Sequence, residues 1–169
     1  MTITTRRMSM KALGPQRGMV LLVSLVFLLL LTLIGISSMQ SATLQEKMAG
    51  SVTFRNQSFQ TAEAALRVGE SSIQVSGYVL DKCTPATRCV PPAESTSETL
   101  AAGVNSTSGV RWYAVGANAF YGIQNLGTTA TPISRPPTCT GSVTLYRVTA
   151  VGIQGVVTRT VLESLYAFC

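Results

Sequence analysis

The sequence contains no histidine, and charged residues make up only 12% of its 169 positions. Histidine is the side chain that titrates near neutral pH, the commonest metal ligand and the usual base beside a serine or cysteine nucleophile. Glu94 and Glu98 lie in a polar segment without an apolar pocket, so they do not indicate an acid–base pair. We therefore expect a protein that is not an enzyme, with no catalytic residues, no cofactor and no bound metal.

Acidic residues are missing from the N-terminal region. None precedes Glu46, whereas four basic residues do: Arg6, Arg7, Lys11 and Arg17. The net charge of +6 therefore comes mostly from this region, and the rest of the chain is close to neutral. A nearly neutral remainder attracts DNA or RNA only weakly, so nucleic acid is not an expected partner. Basic residues directly before an apolar segment are instead typical of the cytoplasmic flank of a membrane helix.

A long apolar run follows the basic region. The 21 residues from Met19 to Met39 carry no charge. As a helix they would measure about 30 Å, which is the thickness of the hydrocarbon core of a bilayer. No proline interrupts the chain between Pro15 and Pro85. We predict one continuous helix from Met19 to about Ile73, on the order of 80 Å long.

The second half of this helix is predicted to be amphipathic. Apolar residues recur there at steps of three, four and seven, at Leu44, Met48, Val52, Phe59, Ala62, Leu66 and Ile73. Arg55 falls within this stripe, and Phe54 is expected on the opposite side. Two interpretations stay open: an arginine that extends to water beside an incidental exposed aromatic, or a Phe54 that contacts a neighbouring subunit.

The remainder of the chain is predicted to form a small antiparallel sheet. Strands are predicted at residues 110–115, 119–124, 143–151 and 156–168. Segments 81–109 and 128–140, rich in Ser, Thr and Pro, are predicted to be loops and the main interaction surfaces. With the amphipathic stripe covering the sheet, the predicted fold class is α+β.

The junction Arg17-Gly18-Met19 stands directly before the apolar run. A glycine there either presents side-chain-free backbone to a protease or simply begins a signal-anchor helix. The stretch RGMVLLVSLVFLLLLTLIGISSMQSATLQEKMAG, followed by FRNQSFQTAEAALR, resembles the N-terminal region of the PilX minor pilins of type IV pili, over Arg17 to Arg67. The segment YRVTAVGIQG…TRTVLES resembles the end of pilin-like heads, less specifically.

The resemblance implies processing and an organisation. In that family a prepilin peptidase cuts after the glycine and methylates the new amino terminus, here between Gly18 and Met19, with Met19 methylated. The expected parts are a leader (1–18), a transmembrane and filament-core helix (19–40), its amphipathic half (41–73) and a head (74–169). The resemblance also implies an inner-membrane protein with a cytoplasmic N-terminus and a periplasmic head, later displayed on the pilus and cell surface.

The implied function is that of a minor pilin. Such a subunit helps to prime pilus assembly with other minor pilins and a tip adhesin-like partner, contacts the major pilin, and supports twitching motility and adhesion. Most pilins carry glutamate at the fifth mature position, where this sequence has Val23, which favours a rare or terminal subunit. The alternatives are a type II secretion minor pseudopilin, built on the same physics, and a periplasmic binding module on a permanent signal anchor.

Small residues along the apolar helix would allow close helix packing in a filament. They are Ser24, Gly35, Ser37 and Ser38.

The four cysteines follow the apolar run, on the side of a membrane where disulfides persist. Three pairings are possible. We favour Cys83 with Cys89, which is local, and Cys139 with Cys169, which staples the chain end as in pilin-like heads. A zinc site of four thiolates is the weaker alternative, because such sites use closer CxxC spacing.

Overall fold

A computed structural model describes residues 18–97, 100–155 and 158–169, so nearly all of the expected leader lies outside the described residues. Helix α1 comprises Met19–Ile73, as predicted. It ends shortly before Gly77, whose φ of 83° allows the chain to turn away from the helix. The chain forms two compact units that divide between Lys47 and Met48.

The second unit contains a five-stranded antiparallel sheet with its strands in sequential order. The strands are β1 (Gly103–Val104), β2 (Arg111–Ala114), β3 (Ala119–Thr129), β4 (Val143–Gln154) and β5 (Thr158–Phe168). Together with α1 they make an α+β fold, which confirms the predicted class. The prediction missed β1 and the second half of β3, because these stretches are rich in Gly, Asn and Thr and carry little β signal.

The face of α1 that packs on the sheet consists mainly of small residues. Its buried positions are Ser58, Ala62, Ala65, Gly69 and Ile73. The predicted apolar stripe is only partly correct: Ala62 and Ile73 are buried and Leu66 packs against the core, whereas Leu44, Met48, Val52 and Phe59 are exposed. The prediction relied on the spacing of large apolar side chains, whereas a helix that packs closely on a sheet needs small side chains at the contact.

Glycine in the sheet permits this close approach. A Cβ built on Gly152 would lie 2.5 Å from the main-chain nitrogen of Ala62 and would also clash with the main-chain oxygen of Ser58. A Cβ on Gly69 would lie 2.6 Å from Cγ1 of Val148. The hydroxyls of Ser58 and Thr160, 2.7 Å apart, are hydrogen-bonded in the same region. The helix and β4 are thus in main-chain contact at Gly152.

The opposite face of the sheet is covered by the segment between α1 and β2. Two short 3-10 turns, Ala86–Arg88 and Ala93–Thr96, belong to this cover. Beneath it, Val110, Trp112 and Val151 form a buried cluster, with Leu100 and Phe120 packed against it. The predicted loop at 81–109 is therefore one of the two layers that enclose the sheet, and it includes β1.

Candidate functional site

The first unit exposes a continuous apolar surface. Every residue of α1 from Met19 to Lys47 is exposed in the chain. An 18-residue window in this helix has a mean hydropathy of 3.0, and none of that window is buried. The helix is long and apolar enough to cross a membrane. A surface of this kind is stable only against lipid or against other apolar helices.

The polar side chains within this segment are satisfied locally. The hydroxyl of Ser24 donates to the carbonyl of Leu21 at 2.9 Å, and the hydroxyl of Thr32 donates to that of Leu29 at 2.8 Å. Hydroxyls bonded back to their own helix need no water. These two residues therefore do not oppose placement of the segment in an apolar environment.

The junction residues lie where the sequence places them. Gly18 is exposed in a turn and Met19 is the first residue of α1. A Cβ on Gly18 or on Gly35 would meet nothing within 4 Å. Val23 is also exposed. Cleavage after Gly18, methylation of Met19 and helix packing through Val23, Ser24 and Gly35 stay predictions, because they concern processing and partners.

The prediction for Phe54 needs a correction of position. Phe54 stands four residues before the buried Ser58, so it lies on the sheet side of α1, one turn before the contact begins. The prediction that Phe54 lies on the opposite side of the helix is therefore wrong. Its side chain is nevertheless 47% exposed, since the helix has not yet met the sheet at this turn. This exposure fits both interpretations, so a contact of Phe54 with a neighbouring subunit stays a prediction.

The first disulfide anchors the cover of the sheet. Cys83 and Cys89 are joined, with Cα atoms 5.3 Å apart. The side-chain amide of Gln124, on β3, donates to the carbonyls of Arg88 and Val90 at 2.6 and 3.1 Å. The guanidinium of Arg147, on β4, donates to the carbonyl of Cys89 at 2.6 Å. Polar side chains of the sheet thus bind the main chain of the disulfide loop.

Charge is balanced beneath this loop. Arg147 lies 3.8 Å from a carboxylate oxygen of Glu163, on β5, and the hydroxyl of Thr149 donates to the same carboxylate at 3.1 Å. Gln124 is only 5% exposed, and Thr149 is buried. A buried polar group is stabilising only when it is bonded, and each of these has a partner. Sequence reasoning missed this network because its members lie on separate strands.

A second polar contact positions Trp112. Its indole nitrogen donates to Glu94 at 3.1 Å, and the hydroxyl of Ser108 donates to the same carboxylate oxygen. Glu94 therefore holds the cover to β2. This is a structural role; Glu98 lies outside the described residues.

The second disulfide joins the end of the chain to the loop between β3 and β4. Cys139 and Cys169 are bonded with Cα atoms 5.8 Å apart. The guanidinium of Arg135 donates to the carbonyls of Ala130 and Gly141 within that loop. Both disulfides have the pairing that was favoured, so all four cysteines are in disulfides and none is free to bind zinc. Ile133 is completely exposed on this loop.

Comparison with known families addresses the N-terminal region. The PilX N-terminal family model matches residues 17–67. This range includes the Gly18–Met19 junction, the exposed apolar segment and most of the sheet-facing part of α1. This match supports a PilX-type pilin of type IV pili. Neither the curated proteins nor the solved structures contain a match to it.

The match to this family gives the apolar segment a general role. PilX-type pilins are minor pilins of the type IV pilus, and the family indicates association with other pilus components. The pilin family and the exposed helix together indicate that the N-terminal segment anchors this pilin in a membrane. The match ends at residue 67, so the contacts of the head are not assigned by it.

The head of this pilin contains a group of tyrosines on the helix side of the sheet. Tyr113 on β2 stacks on Tyr121 on β3, with ring centroids 5.2 Å apart, and Tyr78 meets Tyr146 edge-on at 5.7 Å. Burial, followed by the neighbouring Tyr146, raises the pKa of Tyr78 to about 12. Burial also raises the pKa of Tyr146. The rings of Tyr78 and Tyr146 therefore remain neutral at physiological pH and act in packing.

Within residues 18–97, 100–155 and 158–169, no group of three or more His, Cys, Asp or Glu side chains is placed to hold a metal ion.

Proposed function

We propose that this pilin helps to prime type IV pilus assembly, as one member of a minor-pilin complex at the pilus tip, and so supports twitching motility and adhesion. The observation that carries the proposal is the first half of α1. Its apolar side chains are exposed on every side over the length of a bilayer. A segment of this kind can exchange lipid neighbours for the helices of other subunits without passing through water.

The proposed route begins in the inner membrane. The basic N-terminus stays in the cytoplasm and the head lies in the periplasm, where the two disulfides form. The prepilin peptidase cuts between Gly18 and Met19 and methylates the amino group of Met19. An exposed Gly18 directly before the helix supports access by a protease, because a bond within the helix would be hidden. The mature pilin then enters the filament and reaches the cell surface.

Val23 supports a rare or terminal position. A carboxylate at this depth costs energy in hydrocarbon, so it is retained only where it has a partner, which in pilins is the terminal amine of a neighbouring subunit. Val23 supplies no such charge. We therefore place this pilin at the start of the filament, in contact with other minor pilins, a tip adhesin-like protein and the first major pilin subunits. Its role is structural, without catalysis.

The decisive experiment combines deletion with the intact mass of the native protein. We expect deletion to remove most surface pili, and the purified protein to begin at a methylated Met19 with both disulfides formed. The variant Gly18→Leu should keep its leader and fail to restore pili, whereas Gly50→Ala, in the same helix, should be processed normally. A native protein that still begins at Met1 would overturn the filament function and favour a signal-anchored binding module.

The deletion strain also distinguishes a function in the pilus from a function in the related secretion filament. A minor pseudopilin of type II secretion shares the apolar helix and the processing site. If deletion leaves pili intact and blocks secretion of folded periplasmic proteins, the secretion assignment is correct.

A further inference from the structure

The sheet of the head has one long open edge, formed by β5. This strand has 11 residues, and it is the last strand in the order of the sheet, so it pairs with β4 alone. The opposite edge is short, because β1 has only two residues. Among the described residues, no main-chain group of β5 is hydrogen-bonded to any element other than β4.

The register of the sheet assigns the main-chain groups that point outward. The main-chain nitrogen of Ile153, on β4, donates to the carbonyl of Asn118 at 2.8 Å, so Ile153 is bonded toward β3. Hydrogen-bonding direction alternates along an antiparallel strand, so the neighbouring Gly152 is bonded toward β5, to its partner Thr160. The same alternation along β5 directs the N–H and C=O groups of every second residue away from the sheet. These residues are Arg159, Val161, Glu163, Leu165 and Ala167.

This edge lacks the features that usually protect an open strand, which are proline, a bulge or a free charged side chain. β5 contains no proline, and its register with β4 is unbroken. Its two charged side chains are engaged within the head. Arg159 donates to the carbonyl of Ser95, and Glu163 pairs with Arg147. Leu165, on the same face as Glu163, is 63% exposed. The edge therefore presents unbonded main chain beside an apolar side chain.

The edge is also held in place before any partner binds. The disulfide between Cys139 and Cys169 fixes the chain directly after β5. The hydroxyl of Ser164 donates to the carboxylate of Glu70, on α1, at 2.6 Å. A strand that is already fixed loses little conformational freedom on binding, so more of the contact energy appears as affinity.

We propose that the outer edge of β5 binds an extended strand from the head of another pilus subunit. The proposal rests on the proposed function, because it names the surface by which this pilin contacts a neighbour in the minor-pilin complex. A row of alternating N–H and C=O groups is matched only by extended main chain. The exposed Leu165 favours an apolar side chain beside it on the added strand. A pilus subunit is the expected source, since the family indicates association with other pilus components.

Proline substitution tests the main-chain contact in the full-length, membrane-extracted protein. Proline removes one outward N–H, and an edge strand tolerates it there because the bonds to β4 are kept. We expect Leu165→Pro and Ala167→Pro each to lower the amount of co-purified pilus subunits about tenfold relative to Leu165→Ala and Ala167→Ser, which keep the N–H. All four variants should be retained in the membrane. Co-purification of both proline variants at the level of their controls would overturn the proposal.

Hydrogen exchange on the wild-type protein tests the same bonds without a substitution. In the isolated protein, the outward amides of β5 should exchange rapidly. In the co-purified complex, about half of the amides in the peptide that covers residues 158–168 should gain protection. The peptide that covers residues 143–154 is the control, because β4 is already paired on both sides. Unchanged exchange of the β5 peptide in the complex would contradict the proposal.

A photo-crosslinker at Leu165 identifies the occupant. The expected product joins Leu165 to a strand of another pilus subunit, beside an apolar residue of that strand. Crosslinks only to lipid, or only to β5 of a second copy of this chain, would show that the assigned occupant is wrong.

The two proposals fail in different ways. If the wild-type protein keeps its leader and co-purifies with no pilus subunit, the proposed function fails. If it is processed, restores pili and co-purifies equally well with and without Leu165→Pro and Ala167→Pro, only the assignment of the β5 edge is wrong.

Discussion

The two halves of α1 use the same secondary structure for opposite kinds of contact. From Met19 to Met39 the helix presents large apolar side chains on all sides, and all of its residues up to Lys47 are exposed. From Met48 to Ile73 it buries one face, made of two alanines, a serine, a glycine and one isoleucine, against the sheet. The first half has no partner within the part of the chain that the structure describes, whereas the second half packs against the sheet of the same chain.

The difference shows what each surface tolerates. A surface that exchanges partners, lipid in one state and helices in another, needs apolar character more than an exact shape. A surface that holds one partner permanently can be shaped to it, so small changes in volume are costly. Substitutions in the first half should therefore be harmful when they introduce a charge and tolerated when they change side-chain volume. In the second half, a change in side-chain volume at a single position should be harmful.

The largest expected effect comes from a charge in the first half. Leu29→Arg places a cation near the centre of the apolar segment and should disfavour membrane insertion by about 3 kcal/mol. We expect loss of membrane retention in carbonate extraction and no surface pili. Leu165→Arg, at an exposed leucine of β5, is the control and should be retained normally. Equal loss in both variants would show that the two surfaces do not differ as described.

The second effect concerns volume at the helix–sheet contact. Gly152→Ala forces a methyl group against the main chain of Ala62 and should lower the free energy of unfolding of the head by about 2–3 kcal/mol. Denaturant unfolding of the full-length protein in detergent measures it. Gly35→Ala, in the first half, adds the same methyl group to open space and should cost nothing. A stable Gly152→Ala variant would contradict the close approach.

The third effect tests the polar cover on the other face of the sheet. Gln124→Ala removes the donor to the carbonyls of Arg88 and Val90 and should lower the free energy of unfolding by about 2 kcal/mol. Faster proteolysis around residues 84–97 should accompany this loss. Gln74→Ala, at an exposed glutamine just after α1, should change neither quantity.

The smallest effect is a dependence on alkaline pH. Folding raises the pKa of Tyr78 from about 10 to about 12, so the folded state favours the neutral ring. The resulting stability is fully present below pH 10 and is lost as the pH rises from 10 to 12. Because the ring is partly open to solvent, we expect less than about 1 kcal/mol. Tyr78→Phe should flatten the decline in unfolding free energy between these pH values, and an unchanged slope would contradict the assignment.

Much of the fold could be predicted from local signals. The helix from Met19 to Ile73 follows from an apolar run and a periodic continuation without proline, and β4 and β5 follow from β-branched and aromatic residues around a glycine-bounded turn. The contact face of α1 could not be predicted in the same way. Ser58 and Gly69 carry no hydrophobic signal, and they are buried only because Thr160 and Val148 lie opposite them.

The polar contacts of the head could not be predicted from local sequence patterns either. The sequence indicates loops at 81–109 and 128–140, but not that the first is bound across the sheet. Its donors are Gln124 and Arg147, which lie 34–58 residues from the carbonyls they bind. Ser58 and Thr160 are also far apart in sequence, and only the fold brings their hydroxyls into contact. Local patterns carry no information about such pairings.

The sequence by itself determined that this pilin has an apolar helix able to leave water, where that helix begins, and which cysteines are available for pairing. These properties depend on residues that are neighbours along the chain, since hydropathy and helix period act over a few turns. Only the tertiary structure decided which face of α1 is buried and what covers the sheet, because burial depends on residues brought together from distant positions.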